Sequence, residues 1–223
     1  MYCYCGNDPI NYADPSGHEA KWLAWLISGV FITAGIVACA VAAPGVFGLG
    51  IIGGVFIGMG AGSLINGYVT EANGGSFWGG YIGGAISGAL CGVGAGFGGL
   101  AFAAAANSVG LSCLGYLSLG YLASFAGGFV GNFTGTLYTD WHNSGFNGIN
   151  LHMSELLATS TVMGTLNIFA GIGSGISSII GEMGKVAGIS VNSQFAHRLL
   201  AGTVAGGTEA LYDITSYLYG FLN

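Results

Sequence analysis

Charge is almost missing from this sequence. Asp, Glu, Lys and Arg make up 5% of its 223 residues, against about 25% in an ordinary soluble domain, so there are too few charged side chains to coat a water-facing surface. Basic residues are scarcest: Lys21, Lys185 and Arg198 stand against nine acidic residues, for a net charge of -6. Without a basic stripe to neutralise a phosphate backbone, nucleic acid is excluded as a partner. Three prolines beside 45 glycines exclude a collagen-like repeat, and the many large apolar residues exclude a disordered linker. The opening residues lack the basic and apolar regions of a secretory signal. Cysteine is odd in number, at Cys3, Cys5, Cys39, Cys91 and Cys113. The last three lie in apolar runs, where Cys behaves as a small hydrophobe, and Cys3-Tyr4-Cys5 is too tightly spaced for paired zinc ligands. No disulfide framework, metal or cofactor is expected.

What the chain has is hydrophobic length. Apolar residues make up 52% of it and mean hydropathy is +0.71. Trp22 to Ala43 carries no charge and meets the roughly 20-residue requirement for crossing a bilayer, with Trp22 and Trp25 as interfacial anchors. A second uncharged run, Val46 to Val69, predicts a hairpin about Ala43-Pro44-Gly45. The turn Asn73-Gly74-Gly75-Ser76 opens a stretch, Ala72 to Thr139, long enough for two helices broken near Asn107-Ser108. A polar loop from Asp140 to His152, a helix from about Leu156 to Ile180 and a last one from about Phe195 to Leu222 complete the pattern. The expected fold is mainly α: a bundle of about five or six apolar helices, suited to a membrane.

Glycine inside a helix costs about 1 kcal/mol relative to Ala in water, yet here its spacing is helical. Gly50, Gly54, Gly58 and Gly62 recur every four residues, as do Gly80, Gly84, Gly88, Gly92 and Gly96, and then Gly127, Gly131 and Gly135. Residues four apart stack on one helix face, so each series makes a groove into which another backbone can come close, the packing that suits helices in lipid. These twelve glycines are the expected helix-packing residues.

The first seventeen residues differ from the rest. The string Tyr4-Cys5-Gly6-Asn7-Asp8-Pro9-Ile10-Asn11-Tyr12-Ala13-Asp14-Pro15-Ser16-Gly17 alternates aromatic and polar residues and reads as short strands and turns. It resembles the end of the RHS repeat-associated core, the tyrosine/aspartate-repeat proteins of bacterial polymorphic toxins: an aromatic-rich strand, Asn-x-Pro, then Asp-Pro-x-Gly. The resemblance covers under a tenth of the chain. It implies that Asp14, Pro15, Ser16 and Gly17 mark the boundary of a β-repeat shell that encloses a variable effector, and that this chain is the tail of a larger exported protein. Members that cleave themselves after this motif usually place an aliphatic residue where this sequence has His18; taken by itself, Asp14-Pro15-Ser16-Gly17 also reads as a type I turn. The expected organisation is then 1–17 as the end of the RHS core with its β-strand and turn remnant, 18–140 as a glycine-zipper hydrophobic region, and 141–223 as apolar helices with polar loops.

Candidate chemistry is sparse. Asp140, His142, His152 and Glu155 form one cluster of titratable groups, but an interfacial loop between membrane helices collects the same residue types. Glu209 and Asp213 lie four apart on one helix face, where they can pair with Arg198 or face water as readily as act in acid–base catalysis. No nucleophile elbow, phosphate loop or zinc-protease pattern occurs, so no catalytic residue is assigned and no enzyme is expected. The expected function is that of an RHS-type effector whose glycine-zipper helices enter a target membrane and form a pore. Its partners would be the lipid bilayer, the RHS β-shell, further copies of the chain and an immunity protein. The alternative is a non-toxic translocation or packing segment of an RHS protein whose enzymatic domain lies elsewhere or has been lost.

Overall fold

The computed structural model describes residues 21–41 and 47–186. Over these residues the chain is almost entirely helical: α1 (Lys21–Val41), α2 (Phe47–Ala72), α3 (Phe77–Ala106) and α4 (Leu111–Val186). The strand and turn remnant, the boundary motif Asp14 to Gly17, the hairpin turn about Pro44 and the last expected helix lie outside the described residues. Among the described residues, five helical segments are long and apolar enough to cross a membrane: Lys21–Cys39, Ile51–Ala72, Phe77–Ala106, Leu111–Gly145 and Met153–Ile176.

The connections follow from local chemistry. Between α2 and α3 the turn runs through Gly74 at φ 83°, a left-handed value that suits glycine. Ser76 then caps α3, its hydroxyl accepting the Gly79 N–H at 3.3 Å, which satisfies one of the free donors of the first turn. The polar loop expected between Asp140 and His152 is instead helix with a single break. Helix α4 continues through Asp140 to Gly145, where φ 66° and ψ -169° interrupt it, and then resumes. Neither Asp140 nor the residues around it include a proline, so the helical hydrogen bonds have no reason to stop before the glycine. The break divides α4 into a first arm (Leu111–Gly145) and a second arm that contains Met153–Ile176.

The packing is serial: α1 lies on α2, α2 on α3, and α3 on α4. Helix α3 is the centre of the bundle, and most of its residues are buried. One of its faces meets α2, and the others meet the two arms of α4. The interior is built from small residues. Among the largest fully buried side chains only Phe77 and Met163 are large and apolar; the rest are Asn167, Cys39, Cys91 and the serines Ser28, Ser63, Ser124 and Ser160. Bulk apolar side chains face outward instead, with Phe169 71%, Trp22 68% and Leu122 66% exposed.

Candidate functional site

Helices α2 and α3 run antiparallel, and their glycine-bearing faces meet. A methyl group added at Gly92 would sit 2.7 Å from the Gly54 carbonyl oxygen, one at Gly84 would collide with the Gly62 carbonyl, and one at Gly80 would lie 2.5 Å from the Asn66 oxygen. Gly96 faces Ile51. Gly58 and Gly88, both buried, fall between these contacts at the same register. Gly50 lies in the first turn of α2. On the other side of α3 the first arm of α4 approaches as closely: Gly127 lies over Gly94, and a methyl added at Gly131 would sit 2.8 Å from the Ser87 carbonyl oxygen and one at Gly135 2.5 Å from that of Gly83. At such separations the backbones themselves are the packing surfaces, and weak Cα–H to carbonyl contacts accompany them.

Further glycines that the four-residue spacing does not single out also make contacts of this kind. Gly35 of α1 and Gly53 of α2 lie face to face, each added methyl falling within 2.9 Å of the other's carbonyl oxygen, and Gly60 meets the Ser28 carbonyl. Gly53 and Gly60 are seven apart, which also returns to one helix face, so a seven-residue search reveals this second face of α2. Gly83, Gly94 and Gly98 on α3 follow the same logic with an eleven-residue step between the first two.

Within this apolar exterior lies a polar interior in two parts. Between α1, α2 and α3, the Ser28 hydroxyl lies 3.0 Å from the Ser63 hydroxyl and 2.9 Å from that of Tyr81, which in turn donates to the Ala24 carbonyl at 3.3 Å. Ser63 donates to the Gly60 carbonyl. Between α3 and the two arms of α4 runs a longer seam. The Asn167 amide donates to the carbonyls of Cys91 at 3.2 Å and Ser124 at 2.8 Å, so one side chain joins α3, the first arm and the second. The Asn132 amide donates to Ser160 at 3.2 Å, and Thr139 donates to the Gly135 carbonyl at 3.0 Å. Ser87 and Ser124 are buried along the same seam, and their hydroxyls have no hydrogen-bond partner among the described residues. A buried unpaired hydroxyl costs about 1–3 kcal/mol, so the seam is not arranged for stability alone. None of these residues stands out in the sequence, apart from one periodic hint: Ser160, Asn167 and Ser174 recur every seven residues, and all three are buried.

The titratable residues gather elsewhere. Lys21, at the start of α1, pairs with Glu71 near the end of α2, and its ammonium lies over the rings of Phe77 at 5.5 Å and Tyr68 at 6.0 Å. Trp25 donates its indole N–H to the Tyr68 hydroxyl at 2.7 Å. Of the cluster named from the sequence, His142 stacks on Tyr138 at 6.2 Å, beside Gly79, and Glu155 is exposed. No group of three or more His, Cys, Asp or Glu comes together among the described residues. Glu209 and Asp213 lie outside them. Comparison with known protein families, with characterised proteins and with solved structures finds no match to this chain.

Proposed function

We propose that this chain is the effector region of an RHS-type polymorphic toxin, that its glycine-zipper helices insert into a target membrane, and that the seam between α3 and α4 lines the pore they form. The observation that carries the proposal is the inverted distribution of side chains: serine and asparagine are fully buried while tryptophan, leucine and phenylalanine face outward. In water that arrangement forgoes most of the hydrophobic driving force, about 25 cal/mol for each Å² of apolar surface left exposed. In lipid it forgoes nothing, because the solvent is as apolar as the side chains, and close backbone packing becomes the main source of helix association. Serine and asparagine on spanning helices hydrogen-bond across helices, and the same side chains can turn to water where the helices part. Resemblance of the first seventeen residues to the end of an RHS core supports delivery as part of a larger exported protein.

Release of a trapped dye from liposomes, with flotation to measure binding, tests the proposal directly. Binding followed by dye release is expected, together with loss of membrane potential when the chain is produced in a bacterium. Recovery as a monodisperse helical monomer without detergent would overturn the membrane reading. Binding without release or depolarisation would favour the translocation or packing segment.

A further inference from the structure

The two ends of the bundle differ in chemistry, and the difference has a direction. At one end lie all four tryptophans of the chain, Trp22, Trp25, Trp78 and Trp141. The antiparallel register brings them together: Lys21 pairs with Glu71 across α1 and α2, Asn143 accepts the Ser76 N–H at 2.9 Å across α4 and α3, and His142 abuts Gly79. Lys21, Glu71, Asp140 and Glu155 belong to this end as well. At the other end, where α1 meets α2 and α3 meets α4, the two turn regions, residues 39–53 and 100–118, contain no charge; the charges at this end are those of the second arm of α4, which returns to it past Gly175 beside Gly99 and carries Glu182 and Lys185. The α3–α4 turn presents Val109 at 89% and Leu111 at 87% exposure. Among the described residues these two apolar side chains are left almost fully exposed.

Resting on the membrane reading above, we infer that the α1–α2 and α3–α4 hairpins enter a phospholipid bilayer with their uncharged turns first, and that their tryptophan end stops in the headgroup region of the leaflet first met. Tryptophan and tyrosine favour the membrane interface, whereas a charge resists passage through the hydrocarbon. An uncharged turn can cross with its two helices already paired, because the backbone groups within each helix are satisfied internally. The reverse orientation would drag the Lys21–Glu71 pair, Asp140 and four indoles through the bilayer. The second arm of α4 ends with Glu182 and Lys185, three residues apart and of opposite sign, and the direction proposed is that of the two hairpins.

The test uses single cysteines introduced as Val109→Cys and Asn73→Cys in the full chain with its five native cysteines replaced by alanine. Each is biotinylated and added to liposomes of phosphatidylcholine and phosphatidylglycerol, with streptavidin, too large for a small pore, either outside or trapped in the lumen. Position 109 is expected to be captured from the lumen at least tenfold more than from outside, and position 73 the reverse. Capture of 109 from outside, or of 73 from the lumen, overturns the direction while leaving insertion intact. Should the variants fail to fold, the native chain answers through its four tryptophans. With lipid brominated near the headgroup confined to the outer leaflet, strong quenching supports the inference, and quenching only when the same lipid is confined to the inner leaflet overturns it. Failure of the native chain to float with liposomes defeats the membrane reading, and this inference with it.

Discussion

Gly92 and Gly115 are both helical glycines in uncharged surroundings, yet they do opposite things. At Gly92 an added methyl would meet the Gly54 carbonyl oxygen at 2.7 Å and the Val55 Cα at 2.8 Å, whereas at Gly115 nothing lies within 4 Å. The obstacle at Gly92 is backbone, which cannot rotate away as a side chain would, so added bulk must push α2 and α3 apart. Gly92→Leu is therefore expected to destabilise the bundle by about 1–3 kcal/mol, the usual cost of overpacking, with Gly92→Ala milder. Gly115→Ala is expected to be neutral or to stabilise by up to about 1 kcal/mol, since only helix propensity changes. Unfolding of the detergent-solubilised chain by added SDS measures both, and equal behaviour at the two positions would remove the close approach as an explanation for Gly92.

At the scale of the element, α4 is where sequence and structure part most. The uncharged runs make the apolar helices and the turn at Asn73 to Ser76 legible, because helix length in a membrane is set by hydropathy and the turn by consecutive glycines. The path through Asp140 to Gly145 is not legible that way. Asp, Trp, His, Asn and Ser in sequence look like a loop, but an interfacial helix tolerates them as readily, and only the φ of Gly145 fixes where the axis breaks. The glycine recurrences in α2 and α3 are plain as periodicity; which series faces which depends on antiparallel register, and no single helix encodes that. The polar seam is hidden for the same reason, since Cys91, Ser124 and Asn167 are far apart in the chain and meet only because both arms of α4 return to α3. Asn167 then predicts its own test. Asn167→Leu keeps the number and branching of the side-chain heavy atoms and removes two donated bonds, for an expected loss of at least about 1 kcal/mol, the scale of interhelical hydrogen bonds in membrane proteins. Thr161→Leu, whose exposed hydroxyl bonds only within its own helix to the Leu157 carbonyl, should change stability by under about 0.5 kcal/mol. The same SDS titration reads both, and an Asn167 variant as stable as the parent would mean that the seam does not hold the arms to α3.

For the whole molecule, the proposed pore raises the question of which buried polar surface would become its conducting path. Two are available: the Ser28, Ser63 and Tyr81 cluster between the first three helices, and the seam of Ser87, Ser124, Asn132, Ser160 and Asn167 between α3 and α4. In the first, every hydroxyl has a partner, so exposing it to water gains little. The second contains the hydroxyls of Ser87 and Ser124, without a partner among the described residues, each of which would gain a hydrogen bond on contact with water, so parting α3 from α4 meets less resistance. A carboxylate placed in the conducting path attracts cations and repels anions at close range. Asn132→Asp is therefore expected to shift the reversal potential of the pore in a planar bilayer under a potassium chloride gradient toward that of potassium, by tens of millivolts for a roughly tenfold rise in cation preference. The shift should fade as pH falls and the new carboxyl is protonated, because the neutral acid no longer discriminates between ions. Ser63→Asp, in the satisfied cluster, should leave selectivity unchanged at equal membrane binding. Selectivity that responds to Ser63→Asp and ignores Asn132→Asp would place the path between α1, α2 and α3 instead.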